Sequence, residues 1–159
     1  MKLKQLHHFA WKCKDAKETI EFYTNVLGLP HVHTIEKDHV PSTGAYAPYK
    51  HIFFQMPDKS CIAFFDLGDG EATTTDCDDW VVHFAFDVGR VEYVDAWYTI
   101  LTNKGIDVIG PTNHDDWIYS IYFFDPNGLR LEITTELPSD EALKTEEKFF
   151  ERFRIGEVV

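Results

Sequence analysis

The feature that most constrains this chain is a repeat within its own sequence. The segment beginning at His8 reads HFAWKCKDAKETIEFYTNVLG, and the segment beginning at His83 reads HFAFDVGRVEYVDAWYTILTNKG. A shift of 75 positions aligns five identical residues, including the two histidines. A second match, at a shift of 69, aligns residues 51–54 with 120–123. Because the second shift is shorter than the first, we expect a longer loop in the first copy, near residues 38–49.

The first copy begins with a strand and a helix. Residues 6–13 form a short aromatic run that predicts a strand. Asp15 and Glu18 have the spacing of a capping box, which predicts that a helix begins there. Gly28 comes after the helical stretch and is expected to end it.

The second copy repeats this order and continues into three strands. Residues 80–88 predict a strand, and residues 91–103 predict a helix that stops at Gly105. Three strand-like runs come after the helix, at residues 107–109, 118–124 and 129–134. The turn sequence Asp-Pro-Asn-Gly at 125–128 predicts that the last two runs form a hairpin. The repeated unit is therefore β-α-β-β-β.

A single β-α-β-β-β unit cannot bury both its helix and its sheet, whereas two units together can. We therefore predict an α+β fold in which two βαβββ modules form a curved mixed sheet around a metal site, with the helices outside. One domain is expected at residues 1–137, with modules at about 5–67 and 80–135. Pro138 ends the last strand, and residues 138–159 are predicted to form a C-terminal helical tail.

Charge and cysteine content exclude several classes of protein. The chain has 15 Lys and Arg against 27 Asp and Glu, a net formal charge of −12. Nucleic acids and anionic membranes are therefore poor partners. The three cysteines, Cys13, Cys61 and Cys77, form no Cys-x-x-Cys motif, which indicates a reducing compartment. With no signal-like or membrane-length apolar run, we expect a cytoplasmic protein.

The repeat places two histidines at equivalent strand positions. His8 and His83 each begin a His-Phe-Ala sequence, so an approximate two-fold relation between the copies would bring their rings together. Glu132 lies between apolar residues on the last predicted strand, where a lone carboxylate would be costly to bury. Two histidines and one carboxylate form the set that holds non-haem Fe(II) and leaves positions open. Mn(II) also fits this set, and Zn(II) is an alternative. Separate core histidines, with Glu132 paired to Arg130, are the structural alternative.

The motifs resemble the vicinal oxygen chelate superfamily. This family includes glyoxalase I, extradiol ring-cleaving dioxygenases, bleomycin-binding proteins and fosfomycin-resistance thiol transferases. The matching pieces spread over residues 6–137 and read LHHFAWKCKD, FYTNVLGL, VVHFAFDV, GPTNHDDWIYSIYFFDPNG and LRLEI. The resemblance implies metal ligands at His8, His83 and Glu132. His8 is preferred to His7 because it is the residue that aligns with His83.

Within this family, the residues favour an extradiol-type dioxygenase with a small catechol-like substrate. Glyoxalase-like members usually add a fourth ligand from the first module, but Ala63 stands opposite Glu132 at the shift of 69. The resemblance to extradiol enzymes extends to Tyr122, ten residues before Glu132, and to His114. A tyrosine hydroxyl can bind a catecholate oxygen, and a histidine can hold or pass a proton. One departure is that residues 68–79 contain no acid–base histidine.

Three alternatives remain open at this stage. A metal-dependent glyoxalase-type lyase is one. A thiol transferase is another, since that group shares the metal set and residues equivalent to Ser120 and Tyr122. It would need a cation to hold a phosphonate, however, and residues 110–113 contain no Lys or Arg. The third is a non-catalytic, bleomycin-resistance-like binding protein, against which the intact metal set argues.

The substrate pocket is expected to be lined by aromatic side chains, which suit a flat or apolar small molecule. The candidates chosen by strand alternation or loop position are Trp11, Phe65, Phe86, Trp117 and Tyr122, and Ser120 is added from the family resemblance. A homodimer is a further possibility, because paired modules in this family close within one chain or exchange between two.

Overall fold

The strands and helices follow the order of the sequence repeat in the structure, a computed structural model that describes residues 2–137. Each copy contributes four strands and one helix, and the second copy has the same order as the first. The elements of the first copy are β1 (His8–Cys13), α1 (Ala16–Asn25), β2 (His31–His39), β3 (Tyr46–Gln55) and β4 (Cys61–Asp66). Those of the second are β5 (His83–Asp87), α2 (Val91–Asn103), β6 (Ile109–His114), β7 (Ile118–Phe124) and β8 (Arg130–Glu136).

The two sheets have the same strand order. The first is ordered β1-β4-β3-β2, and the second β5-β8-β7-β6. In each, the first strand of the module runs parallel to the last one. The β2–β3, β3–β4 and β6–β7 pairs are antiparallel. The prediction of an α+β fold with two βαβββ modules and mixed sheets is confirmed.

Strand register confirms both sequence shifts. In the first sheet His8 lies opposite Cys61, and in the second His83 lies opposite Arg130. The two histidines differ by 75 positions and their partners by 69, the two shifts found in the sequence. Equivalent residues in the two modules therefore occupy equivalent places in their sheets.

The first helix has a capping residue before it and a glycine after it. The Asp15 carboxylate accepts a hydrogen bond from the Glu18 backbone N–H at 2.7 Å, so α1 begins with a capped first turn. After α1 the chain turns at Gly28, whose φ of +70° favours glycine. The buried face of α1 includes Thr19 and Tyr23.

The copies differ in the length of one hairpin. Strands β2 and β3 contain 9 and 10 residues, whereas β6 and β7 contain 6 and 7. The additional residues of the first copy therefore lengthen the paired strands β2 and β3 as well as the loop between them. Strand β6 covers Ile109–His114 rather than the predicted 107–109. The predicted helical tail at 138–159 lies outside the described residues.

The described chain forms two compact units. The first comprises residues 2–82 together with 124–129, and the second comprises residues 83–123 together with 130–137. Each has its own apolar core. Fully buried side chains include Tyr23, Phe54 and Phe64 in the first unit and Leu101, Phe123 and Leu131 in the second. Among residues 2–137, no helix has the length and apolar character needed to span a membrane.

Candidate metal centre

The carboxylate of Glu132 is the centre of a hydrogen-bonded cluster in the second unit. Glu132 is 3% exposed on the central strand β8. Its Oε2 atom lies 2.9 Å from His83 Nε2. Its Oε1 atom accepts hydrogen bonds from the hydroxyl groups of Ser120 at 2.5 Å and Tyr122 at 3.3 Å. Both carboxylate oxygens are therefore engaged by side chains from neighbouring strands.

Strand pairing explains why these residues meet. β5 runs parallel to β8 with Ala85 opposite Glu132, so His83 lies one alternation away on the same face. β7 is the other neighbour of β8, and Ser120 and Tyr122 alternate along it toward the carboxylate. The structure thus brings together four of the residues named from the sequence.

His114 joins this cluster through Tyr122. His114 Nε2 lies 2.7 Å from the Tyr122 hydroxyl. Burial and the neighbouring Glu132 charge raise the pKa of Tyr122, so its hydroxyl keeps its proton at neutral pH. That single proton is donated either to Glu132 or to His114. When the Tyr122 proton points to Glu132, the His114 tautomer that carries its hydrogen on Nε2 can donate to the tyrosine oxygen. Glu132, Tyr122 and His114 then form a short path for protons.

Arg130 adds a positive charge to this face. Its guanidinium carbon lies 4.4 Å from the centroid of the Tyr122 ring, within cation–π distance. The structure thus adds a contact of Glu132 with His83 and a stacking of Arg130 over the Tyr122 ring, neither of which the alternative of an Arg130–Glu132 pair includes.

His8 lies in the first unit, among other histidine and phenylalanine rings. Its Nδ1 atom is 2.8 Å from His7 Nδ1. The His8 ring also meets His51 and Phe53 edge-on, with centroid distances of 5.9 and 5.5 Å. With Nδ1 engaged by His7, Nε2 is the nitrogen of His8 that remains for a metal ion.

His51 is a residue that sequence reasoning missed. It is 7% exposed, stacks on Phe65 with a centroid distance of 3.7 Å, and lies 4.1 Å from the Phe53 ring centroid. Among the described residues, its Nε2 atom has no hydrogen-bond partner. Burial, followed by the nearby His8, lowers the pKa of His51 to about 4. Its imidazole is therefore neutral at pH 7.

The repeat contained a signal for His51. At the shift of 69, His51 aligns with Ser120 and Phe53 with Tyr122, and both residues of the second copy contact Glu132. The corresponding carboxylate position in the first copy is Ala63. The first unit therefore has a polar side chain, His51, at the position equivalent to Ser120, although Ala63 replaces the carboxylate that Ser120 contacts.

His51 makes the stability of the metal-free protein depend on pH. Since its pKa is about 4 in the folded chain and about 6.5 when unfolded, the unfolded chain binds more protons between these values. Stability contributed by neutral His51 is fully present above pH 6.5 and is lost as the pH falls toward 4, by up to about 3 kcal/mol.

We therefore expect the free energy of unfolding of His51→Phe to fall less than that of wild type between pH 7 and pH 4.5. Urea unfolding in the presence of EDTA measures this, with His33→Phe as the control, because His33 is exposed and contacts the same Phe53 ring. Parallel pH profiles for wild type and His51→Phe would contradict the assignment.

The predicted pocket residues occupy different places in the two sheets. Phe65 stacks on His51 and shares the face of His8. Trp11 stacks on Phe9, with centroids 6.2 Å apart, so it lies on the opposite face of β1 from His8. Phe86 has the same relation to His83, because both pairs are three residues apart.

Trp117 and Ser120 differ in exposure. Trp117 is 48% exposed in the turn between β6 and β7, whereas Ser120 is fully buried on Glu132. A cleft of about 620 Å³ lies elsewhere, at the end of β2–β4, and its lining includes Lys37, Tyr49 and Leu67 but none of the predicted pocket residues.

The donor chemistry of the second unit fits a divalent cation. Glu132 is a buried carboxylate whose partners are a histidine and two hydroxyls, and a bound cation would balance its charge. An imidazole and a carboxylate are ligands that Fe(II), Mn(II) and Zn(II) accept. Within residues 2–137, no preformed group of three or more His, Cys, Asp or Glu side chains suited to a metal ion is present.

The fold and this site define a class of protein. A family model described as the glyoxalase/bleomycin resistance protein/dioxygenase superfamily matches residues 5–133. The chain belongs to this family. No curated protein sequence matches it significantly.

Solved structures show the same fold. An integron cassette protein from the mobile metagenome of the Halifax Harbour sewage outfall is 26% identical, with a TM-score of 0.61 and coverage of 84% of this chain and 99% of that one. A fosfomycin resistance protein of Listeria monocytogenes, complexed with Mn(II) and a dihydroxypropylphosphonic acid, is 20% identical, with a TM-score of 0.61 and coverage of 90% and 99%. A Streptomyces antibiotic-binding protein is 18% identical, with a TM-score of 0.59 and coverage of 86% and 98%.

Proposed function

We propose that this chain is a metal-dependent enzyme, an extradiol-type dioxygenase that acts on a small catechol-like substrate. Fe(II) would be held by His8, His83 and Glu132. The observation that carries the proposal is the arrangement around Glu132, where a metal-ligand pair and a Tyr122–His114 proton path share one carboxylate. A binding protein without turnover has no need of that path.

The protein residues would divide the work between holding the ion and handling protons. His83 and Glu132 supply a nitrogen and an oxygen donor from adjacent strands, and His8 supplies a nitrogen from the first unit. When bound, Fe(II) supplies the redox chemistry that activates dioxygen and the Lewis acidity that ionises a diol. Mn(II) or Zn(II) could occupy the same ligands, and Mn(II) is the ion in the Listeria relative.

Tyr122 and His114 would bind and deprotonate the substrate. A protonated Tyr122 hydroxyl can donate a hydrogen bond to a catecholate oxygen in place of Glu132 once the carboxylate coordinates the ion. To deprotonate the diol, the Tyr122 oxygen would accept the diol proton while it passes its own proton to His114 Nε2, which lies 2.7 Å away. The Tyr122 hydroxyl that results is the donor to the catecholate oxygen. This removes a proton from the diol without requiring a histidine in residues 68–79.

Oxygen uptake tests the proposal. Protein purified anaerobically and loaded with Fe(II) should consume dioxygen in an electrode chamber when catechol is added, and Tyr122→Phe should lower kcat by about 100-fold. Tyr119→Phe, which removes a hydroxyl from the opposite face of β7, serves as the control. Absence of uptake with catechol and with substituted catechols, together with turnover of a glutathione adduct or an epoxide, would overturn the reaction class.

The protein is further proposed to be cytoplasmic and to form a homodimer. A cytoplasmic location is supported by free thiols at Cys13, Cys61 and Cys77, which suit a reducing compartment that keeps iron as Fe(II). A homodimer is supported by β5, an edge strand of its sheet whose backbone groups could pair with another chain.

A further inference from the structure

Ser120 makes a short contact with the proposed metal ligand Glu132. Its hydroxyl donates to Glu132 Oε1 at 2.5 Å, whereas the Tyr122 hydroxyl lies 3.3 Å from the same oxygen. Ser120 is fully buried and Glu132 is 3% exposed, so bulk water does not compete for this hydrogen bond. The serine is therefore placed to act on the carboxylate itself.

Thr134 binds the Ser120 hydroxyl from its other side. Thr134 follows Glu132 by two residues on the same face of β8, and its Oγ1 atom lies 2.8 Å from Ser120 Oγ. Because the single hydroxyl hydrogen of Ser120 goes to Glu132, Thr134 is the donor in this pair. The other acceptor near Thr134 Oγ1, the backbone carbonyl of Tyr119, is farther away, at 3.3 Å. The two hydroxyls thus form a chain that donates toward the carboxylate, and each hydrogen bond in such a chain strengthens the next.

The two oxygens of Glu132 have different partners. Oε1 accepts the hydroxyl groups, whereas Oε2 lies 2.9 Å from His83 Nε2. Two ligand atoms that are each about 2.1 Å from one ion, and meet it at a right angle, are about 3 Å apart. The spacing of His83 and Glu132 is therefore that of adjacent ligands, and Oε2 is the oxygen that faces the ion.

Tyr122 is not free to hold Oε1 throughout the reaction. Under the proposed function, its hydroxyl donates to the substrate once Glu132 coordinates the ion. Ser120 then remains as the donor to Oε1, with Thr134 behind it.

We propose that Ser120, backed by Thr134, is a positioning residue that holds Oε1 of Glu132, so that Oε2 alone binds the metal ion. This inference rests on the proposed function for its metal ion, and it gives Ser120 a role other than lining the substrate pocket. A carboxylate that binds through one oxygen leaves more coordination positions open for a substrate and dioxygen than one that binds through both.

The affinity for Mn(II) tests this role, because the EPR signal of free Mn(II) measures binding without turnover. Removal of a group that supports a metal ligand costs about 10–100-fold in affinity, so Ser120→Ala should weaken Mn(II) binding by at least about tenfold. Thr134→Val keeps the shape of the side chain but removes its hydroxyl, and it should also weaken binding. Thr134→Ser restores the hydroxyl and should bind Mn(II) as wild type does.

A double-mutant cycle separates positioning from general damage to the fold. Because Thr134 acts through Ser120, Thr134→Val should have little further effect on Mn(II) affinity in the Ser120→Ala background. Thr135→Val is the matched control, since Thr135 is a buried threonine on the opposite face of β8 and its replacement should leave Mn(II) affinity unchanged.

Wild-type Mn(II) affinity in Ser120→Ala would overturn the inference, and so would independent, additive losses in the double mutant. If Ser120→Ala does not fold, the comparison of Thr134→Val with Thr134→Ser decides the question, because only the first lacks the hydroxyl. Equal affinities of these two variants would also contradict the proposed role.

The result is separable from the test of the reaction, because Mn(II) binding requires no dioxygen. An affinity that depends on Ser120, without oxygen uptake by the Fe(II) protein, leaves the positioning role standing and removes the dioxygenase. Oxygen uptake together with unchanged Mn(II) affinity in Ser120→Ala does the reverse.

Discussion

Replacing Glu132 with alanine will lower the affinity of the protein for divalent metal by at least about 100-fold. Loss of a residue that merely supports a metal ligand costs about 10–100-fold in affinity, and loss of a charged ligand costs more. Glu132 is buried, so water can replace its carboxylate only in part. The measurement is metal content after dialysis, followed by titration with Fe(II) under argon.

Two variants make this result specific. Glu136→Ala removes a carboxylate from the exposed end of the same strand and should bind metal as wild type does. Glu132→Gln preserves the shape that Ser120 and Tyr122 contact, so a folded variant without metal separates loss of a ligand from loss of structure. If Glu132→Ala retained its full metal content, Glu132 would not be a metal ligand. If His8→Ala retained its full metal content, only the assignment of His8 as a ligand would be wrong.

The second-unit cluster was largely predictable, because the repeat assigned His83 to its strand, the last strand of the second copy carried Glu132, and the family resemblance added Tyr122. His83, Tyr122 and Glu132 lie on strands whose order and alternation follow from one repeated β-α-β-β-β pattern. Once β5 and β7 flank β8, these three side chains can only meet on one face. The Asp15 cap was predictable for a different reason, because its donor and acceptor are only three residues apart in the sequence.

Other parts of the site depend on partners that the pattern does not specify. Alternation gives the face of Arg130, but the position of its guanidinium over the Tyr122 ring depends on side-chain packing that the pattern does not specify. His51 was hidden because its burial arises from packing against Phe53 and Phe65. Trp11 was chosen as a pocket residue by its strand position, although a separation of three residues from His8 places it on the opposite face.

Replacing Asp125 with alanine will destabilise the protein by about 3 kcal/mol, the second large effect that the structure predicts. Asp125 is 5% exposed in the turn at residues 124–129, which belongs to the first unit. Its carboxylate accepts hydrogen bonds from the Tyr23 hydroxyl at 3.1 Å, from the Asn127 side chain at 2.9 Å, and from the backbone N–H groups of Asn127 and Leu129. Alanine would leave these buried donors unsatisfied.

The chain offers a matched control for this loss. Asp58 makes a similar turn in the first copy, where it accepts hydrogen bonds from the backbone and side chain of Ser60, but it is exposed to solvent. Water can replace those bonds, so Asp58→Ala should change the unfolding free energy by less than about 0.5 kcal/mol. Tyr23→Phe should cost about 1–2 kcal/mol, because it removes one of the four donors and leaves the carboxylate with the others. Equal urea midpoints for Asp125→Ala and Asp58→Ala would contradict this prediction, because they would show that the buried hydrogen bonds of Asp125 add no more to stability than the exposed ones of Asp58.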